Sequence, residues 1–200
     1  MTRTFAAALA LAFAARLAAD DKTAKAPPAK QPPIAEIVKQ LEDKDAKVRR
    51  QAAHDLGRRN DAAAVAPLVA VLKKDKDAGV RWTAAESLGA LKKLAKAAVP
   101  DLLAALKDAD PMVRETAAES LADINLEPAK VVPALVELLG DADMNVRCAA
   151  AASLGDYKVA AQSAIPALEK VRKNDKHLFV REAADEAIQA INKAASKVGS

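Results

Sequence analysis

From Ile34 onward the apolar positions recur at helical spacing in two alternating stretches. In one, leucines stand three and four residues apart, as at Leu102, Leu103 and Leu106; in the other, a valine is followed by alanine at plus four and leucine or isoleucine at plus eight. Both patterns lay a single apolar stripe along a helix. The valine is always followed by arginine, at Val48-Arg49, Val80-Arg81, Val113-Arg114, Val146-Arg147 and Val180-Arg181, with spacings of 32, 33, 33 and 34 residues. Proline keeps the same rhythm at Pro67, Pro100, Pro133 and Pro166, 33 residues apart each time. Two independent markers on one period predict an all-α fold, an α-solenoid or superhelix of about five helix pairs. The units fall at about 34–59, 62–94, 96–125, 129–158 and 162–196.

Each recurring residue has a physical reason. A proline in the first turn of a helix gives up an N–H that has no intrahelical partner, so the four prolines are expected to start or bend the first helix of a unit. Asp45, Asp77, Asp110 and Asp143 lie three residues before the valine, placed to cap the second helix; His177 stands there in the last unit. Ala52, Ala84, Ala117, Ala150 and Ala184 allow neighbouring helices to approach closely. Gly57, Gly89 and Gly155 are expected to soften or end the second helix.

The unit Asp-x-Asp-x-x-Val-Arg-x-x-Ala-Ala-x-x-Leu-Gly, with a proline about twenty residues after the valine, resembles HEAT repeats of the phycobilisome-lyase-like type from Ile34 to about Ser196. That resemblance implies a solenoid whose second helices line a concave face. It also implies a ladder between adjacent units, in which Asp45, Asp77, Asp110 and Asp143 work with Arg49, Arg81, Arg114, Arg147 and Arg181. Function is less constrained, because the same repeat serves scaffolds, adaptors, bilin lyases and a metal hydroxylase. In the fifth unit Asp185 replaces the second alanine and Gln189 the glycine, the polar outer face expected of a terminal unit, so the array is expected to end near Ser196.

Ahead of the repeats, Arg3 and the uncharged run Phe5 to Ala15, followed by Ala18 and Ala19, read as a signal peptide over 1–19. Residues 20–33, DDKTAKAPPAKQPP, are too rich in proline and lysine to bury a core and read as a linker. The domain of 34–196 is then expected outside the cytoplasm, periplasmic or extracellular; the alternative is that 1–19 is an Ala-rich N-terminal helix on a cytoplasmic protein. Loss of Arg3 and Arg16 lowers 31 basic residues to 29 against 27 acidic, a formal charge of +2, which argues against a nucleic-acid surface. A lone cysteine, Cys148, allows no internal disulfide.

Catalytic patterns are lacking. His54 and His177 are not followed by glutamate, whereas deoxyhypusine hydroxylase, built of similar repeats, needs paired His-Glu dipeptides for its irons. Cys148 has no nearby histidine to activate it, and phosphate-binding glycine loops and Gly-x-Ser-x-Gly elbows are absent. A non-enzymatic monomer is expected, with no cofactor, no metal and no membrane insertion after signal removal. The alternative is an enzyme or enzyme subunit of the lyase or metal hydroxylase kind.

Partner recognition falls to the positions opposite the buried stripe, plus two and plus six. They read Arg50 and His54, Trp82 and Glu86, Glu115 and Glu119, Cys148 and Ala152, then Glu182 and Glu186. The row runs from basic through an aromatic to acidic, and suits a protein or peptide partner. Trp82, the only tryptophan, either forms a binding hot spot or packs on neighbours such as Leu91 and Leu94.

Overall fold

A computed structural model describes residues 32–197; the expected signal peptide, and the linker apart from Pro32 and Pro33, lie outside the described residues. Ten α-helices form five antiparallel pairs among those residues. The pairs are α1 (Ile34–Gln40) with α2 (Ala46–Gly57), α3 (Val65–Lys74) with α4 (Ala78–Ala90), and α5 (Val99–Ala105) with α6 (Pro111–Ile124). They continue with α7 (Pro128–Leu138) and α8 (Met144–Asp156), then α9 (Ile165–Asn174) and α10 (Leu178–Ser196). Short 3-10 turns at Ala62–Ala64, Lys92–Ala98 and Lys158–Ala164 lead into α3, α5 and α9. Each reversal between units uses a left-handed residue, at Asn60, Lys92, Asn125 and Glu127, or Lys158.

Pro100 and Pro166 stand in the first turns of α5 and α9, as expected, and Pro133 lies inside α7, whose first-turn proline is Pro128. The cap assignments hold as well. The carboxylates of Asp45, Asp77, Asp110 and Asp143 accept hydrogen bonds from the first backbone amides of α2, α4, α6 and α8, whereas His177 makes no such bond. Val80, Ala84 and Leu88, with their equivalents in α6 and α8, are fully buried, so the valine, alanine and leucine stripe is the core.

The ladder uses a different aspartate from the one the resemblance implies. Arg49, Arg81, Arg114 and Arg147 donate in bidentate fashion to Asp75, Asp108, Asp141 and Asp175, the first aspartate of the following unit rather than the cap. Each of these arginines also donates through Nη1 to a backbone carbonyl of the turn before its own helix. The two aspartates of Asp-x-Asp thus divide the labour. The first pairs with the preceding unit's arginine and braces the turn through the amide of the second, and the second caps the helix. At the ends, Asp43 accepts from the Asp45 amide, and Arg181 reaches the carbonyl of Asp175.

Gly57 ends α2, as expected, and Gly89 and Gly155 stand one residue before the ends of α4 and α8, but the three glycines also have a packing role. A Cβ on Gly57 would lie 2.6 Å from Cβ of Ser87, and one on Gly89 or Gly155 would lie 3.0 or 3.1 Å from the Cα of Ser120 or Ala187. Their office is close approach of successive second helices, and none has a positive φ. Ser87, Ser120 and Ser153 then donate across the same seam to the carbonyls of Ala53, Ala85 and Ala118 at 2.8–3.1 Å. These buried hydroxyls satisfy themselves without disturbing the packing.

Second helices therefore pack tightly, while first helices stand further apart with clefts between them, such as the one lined by Val136, Leu139, Ala167 and Val171. That difference in spacing curves the array with the second helices inside. Both end faces are polar by a similar device: Gln51 donates to Asp55 on α2, and Gln189 donates to Asp185 on α10. Asp185 also pairs with Arg172, in keeping with the polar outer face expected of the fifth unit.

Candidate functional site

On each second helix the buried stripe fixes which residues turn toward the concave side. Arg50, His54, Glu86, Glu119, Ala152, Glu182 and Glu186 are exposed there, and Trp82, Glu115 and Cys148 are half-buried. All the residues expected in the row are thus off the core stripe. The ring of Trp82 packs against the edge of the core and also lines an open cleft.

That cleft, of about 290 Å³, brings Arg50, His54, Trp82 and Glu86 together with Lys47, Gln51 and Thr83. Thr83 is locked by donating to the Gly79 carbonyl at 2.8 Å. Gly79 matters for a second reason: a Cβ there would come within 2.7 Å of Nη2 of Arg50. The guanidinium lies over the first turn of α4, 3.9 Å from Asp77, whose Oδ1 is already accepting from the Val80 amide. His54 Nδ1 lies 3.7 Å from Asp55.

Beyond Trp82 the face turns acidic. Burial pushes the carboxyl of Glu115 up from its ordinary value, and the Asp143 charge adds to it. Glu119 is likewise pushed up by burial and then by the charges of Glu115, Asp123 and Glu86. Asp156 follows, raised by burial and by Asp123, with Lys158 opposing. These residues form one field of like charge across α4, α6 and α8. Asp123 and Asp156 were missed in the sequence although they stand one helical turn beyond plus six, at plus ten; Gly79 was missed because its role depends on a neighbouring unit.

Burial raises the Cys148 thiol, while Arg147 pulls it the other way. A raised thiol is a poorer source of thiolate. Among the described residues no group of three or more His, Cys, Asp or Glu is disposed to hold a metal ion, and no helix is long and apolar enough to cross a membrane.

Residues 34–106 and 99–189 match the sequence pattern of HEAT repeats. Among solved structures, the complex of CpcE and CpcF of phycocyanin lyase from Nostoc sp. PCC7120 is similar at 28% identity and a TM-score of 0.69, over 84% of this chain and 68% of that one. A designed armadillo repeat protein in complex with the peptide (KR)4 shares the fold at 24% identity and a TM-score of 0.61, over 80% and 82% of the two chains. An engineered protein shares it at 24% identity and a TM-score of 0.58, over 83% and 86%. No curated protein matches the chain.

Proposed function

This chain belongs to the HEAT-repeat family, and from that premise we propose that it is a non-catalytic scaffold or adaptor that holds a segment of another protein along its concave face. The observation that carries the reading is Trp82, a half-buried indole in a row otherwise held mainly by charged residues, opening into a cleft beside a run of carboxylates. Indole combines a large apolar surface with few rotatable bonds, so it anchors a partner at low entropic cost. Glu86, Glu115 and Glu119 supply charge for basic residues flanking that anchor, and their like-charge crowding is relieved when cations arrive. The partner is a protein or peptide rather than nucleic acid, whose phosphates this acidic field repels.

Trp82 is the chain's only tryptophan, so its fluorescence reports occupancy directly. Retention of a partner by the purified full chain should fall by about 2 kcal/mol of binding free energy in Trp82→Ala. Helicity and melting temperature should change little. Unfolding of that variant, with binding intact in its folded fraction, would make Trp82 a core residue and remove the proposal's main support.

The similarity to the phycocyanin lyase complex favours a second reading, an enzyme subunit that works in a pair. Stoichiometric iron or zinc, or a chromophore visible in the absorption spectrum of the untagged protein, decides for it. We also propose export from the cytoplasm after removal of Met1 to Ala19. Recovery of Met1 or Thr2 by N-terminal sequencing of the abundant form counts against this.

A further inference from the structure

The concave face changes sign along its length. At the first unit it presents Lys47, Arg50 and His54, with Arg58 one turn further; from Glu86 onward it presents Glu115, Glu119, Asp123 and Asp156. Trp82 sits at the change of sign, with cations on one side and carboxylates on the other.

The basic end is shaped as well as charged. Gly79 occupies the position before the valine, which Lys47, Met112, Asn145 and Phe179 hold in the other units. A Cβ on Gly79 would lie 2.7 Å from Nη2 of Arg50, so the guanidinium would have to leave its place. Absence of a side chain therefore lets Arg50 lie across the start of α4 beside the indole. Asp77 is 3.9 Å away, beyond hydrogen-bond distance, and already caps its own helix. The guanidinium therefore lines the cleft, within ion-pair range of Asp77 but not hydrogen-bonded to it.

We propose that the face binds an extended peptide segment of mixed charge in one fixed register. An acidic side chain of the peptide meets Arg50 and Lys47, the adjoining apolar side chain lies on Trp82, and basic side chains meet Glu115 and Glu119. This rests on the concave-face reading above and adds a direction to it. Two helix-to-helix steps separate α2 from α6, about 20 Å at ordinary packing distances. Extended chain covers that span in about six residues, which sets the separation of the peptide's acidic and basic ends. A second copy of this chain is the competing occupant, since a face with opposite ends could pair with itself in reverse.

The test is titration of the full chain, followed by Trp82 fluorescence, with three synthetic peptides of equal length. All carry one central leucine. One has glutamates at one end and lysines at the other, one has lysines at both ends, and one has glutamates at both ends. The mixed peptide should bind at least about tenfold more tightly than either of the others at low salt, with the advantage shrinking as salt rises. Arg50→Glu, at an exposed position, should keep its circular dichroism and shift preference to the all-lysine peptide. Glu115→Lys with Glu119→Lys should shift it to the all-glutamate peptide.

Equal binding of the mixed and all-lysine peptides, unaltered by Arg50→Glu, overturns the two-ended register and leaves concave-face binding standing. Absence of a fluorescence response to all three overturns both. Dimers in sedimentation at low salt that dissociate when Arg50 is reversed assign the face to a second copy and overturn the peptide proposal.

Discussion

The seam between successive second helices and the row on their concave side belong to the same helices, yet the seam repeats and the row does not. Across the seam, glycine or alanine faces serine or alanine, and an arginine reaches for the next unit's aspartate, with only small departures from unit to unit. Along the row the equivalent positions hold arginine, tryptophan, glutamate, cysteine and glutamate. Stacking gives every interior unit the same neighbours, so the residues that do the stacking converge on one solution. Nothing inside the molecule asks that of the row, and its variation marks where other demands act.

Acid should separate the two most strongly. Burial is the largest single influence on Asp75 and Asp108 and pushes them up, but the hydrogen bonds from Arg49 and Arg81, those from the Asp77 and Asp110 amides and the arginine charges together outweigh it, and both carboxyls end below their ordinary value. Asp141 and Asp175 are lowered first of all by Arg114 and Arg147. A carboxyl lowered in the folded state stabilises the fold above its unfolded value and loses that contribution as pH falls through the folded one. Denaturant midpoints should therefore drop steeply below about pH 4 as the four rungs protonate. A midpoint that stays level there would mean the rungs contribute little.

Next in size is a single rung. Arg49 and Asp75 are both only 7% exposed, so Arg49→Met leaves a buried carboxylate without its partner and should cost about 3 kcal/mol. Arg181→Met, at the end of the ladder, breaks a bond to a carbonyl alone and should cost about 1 kcal/mol. Equal losses in chemical denaturation would remove the distinction between interior and end. Gly57→Ala should cost about 2 kcal/mol by overpacking against Ser87, whereas Gly140→Ala, with only the Glu137 carbonyl at 3.5 Å, should be close to neutral.

The smallest effect should lie in the row and have the opposite sign. Glu115 and Glu119 are raised in the folded state, so they weaken the fold at neutral pH. Stability should rise slightly as pH falls through their raised values toward the ordinary carboxylate range. Glu115→Gln with Glu119→Gln should flatten that rise and change stability at neutral pH by no more than about 0.5 kcal/mol. A steeper rise in the double variant would contradict the assignment.

The period, the caps and the core were legible in the sequence because each depends on spacing within one helix: Asp110 caps α6, and Val113, Ala117 and Leu121 form its stripe, whatever lies next door. The ladder partner was not, because Arg49 and Asp75 are 26 residues apart and belong to different units. Both aspartates of Asp-x-Asp keep the period, and spacing alone does not say which one an arginine in the preceding unit reaches. Gly57 does end α2, but its close packing was hidden for the same reason, since its neighbour Ser87 comes from the next unit. The serines at Ser87, Ser120 and Ser153 carried a usable signal, a 33-residue interval like that of the prolines. For the row, helical geometry gave the facing of Trp82 and Glu119, while the cleft needed Gly79 and Arg50 to be seen together.

The unequal lengths of the first and last helices have a consequence for how the molecule opens. α1 has seven residues with Ile37 buried, while α10 has nineteen and buries Val180, Ala184, Ala187, Ile188 and Ile191. In an array where each unit leans only on its neighbours, fraying begins at the weaker end, so amide hydrogens of α1 and α2 should exchange with solvent sooner than those of α10. Arg50 and His54 stand on that loosening end, and an occupant held there would slow exchange in α1, a helix it never touches.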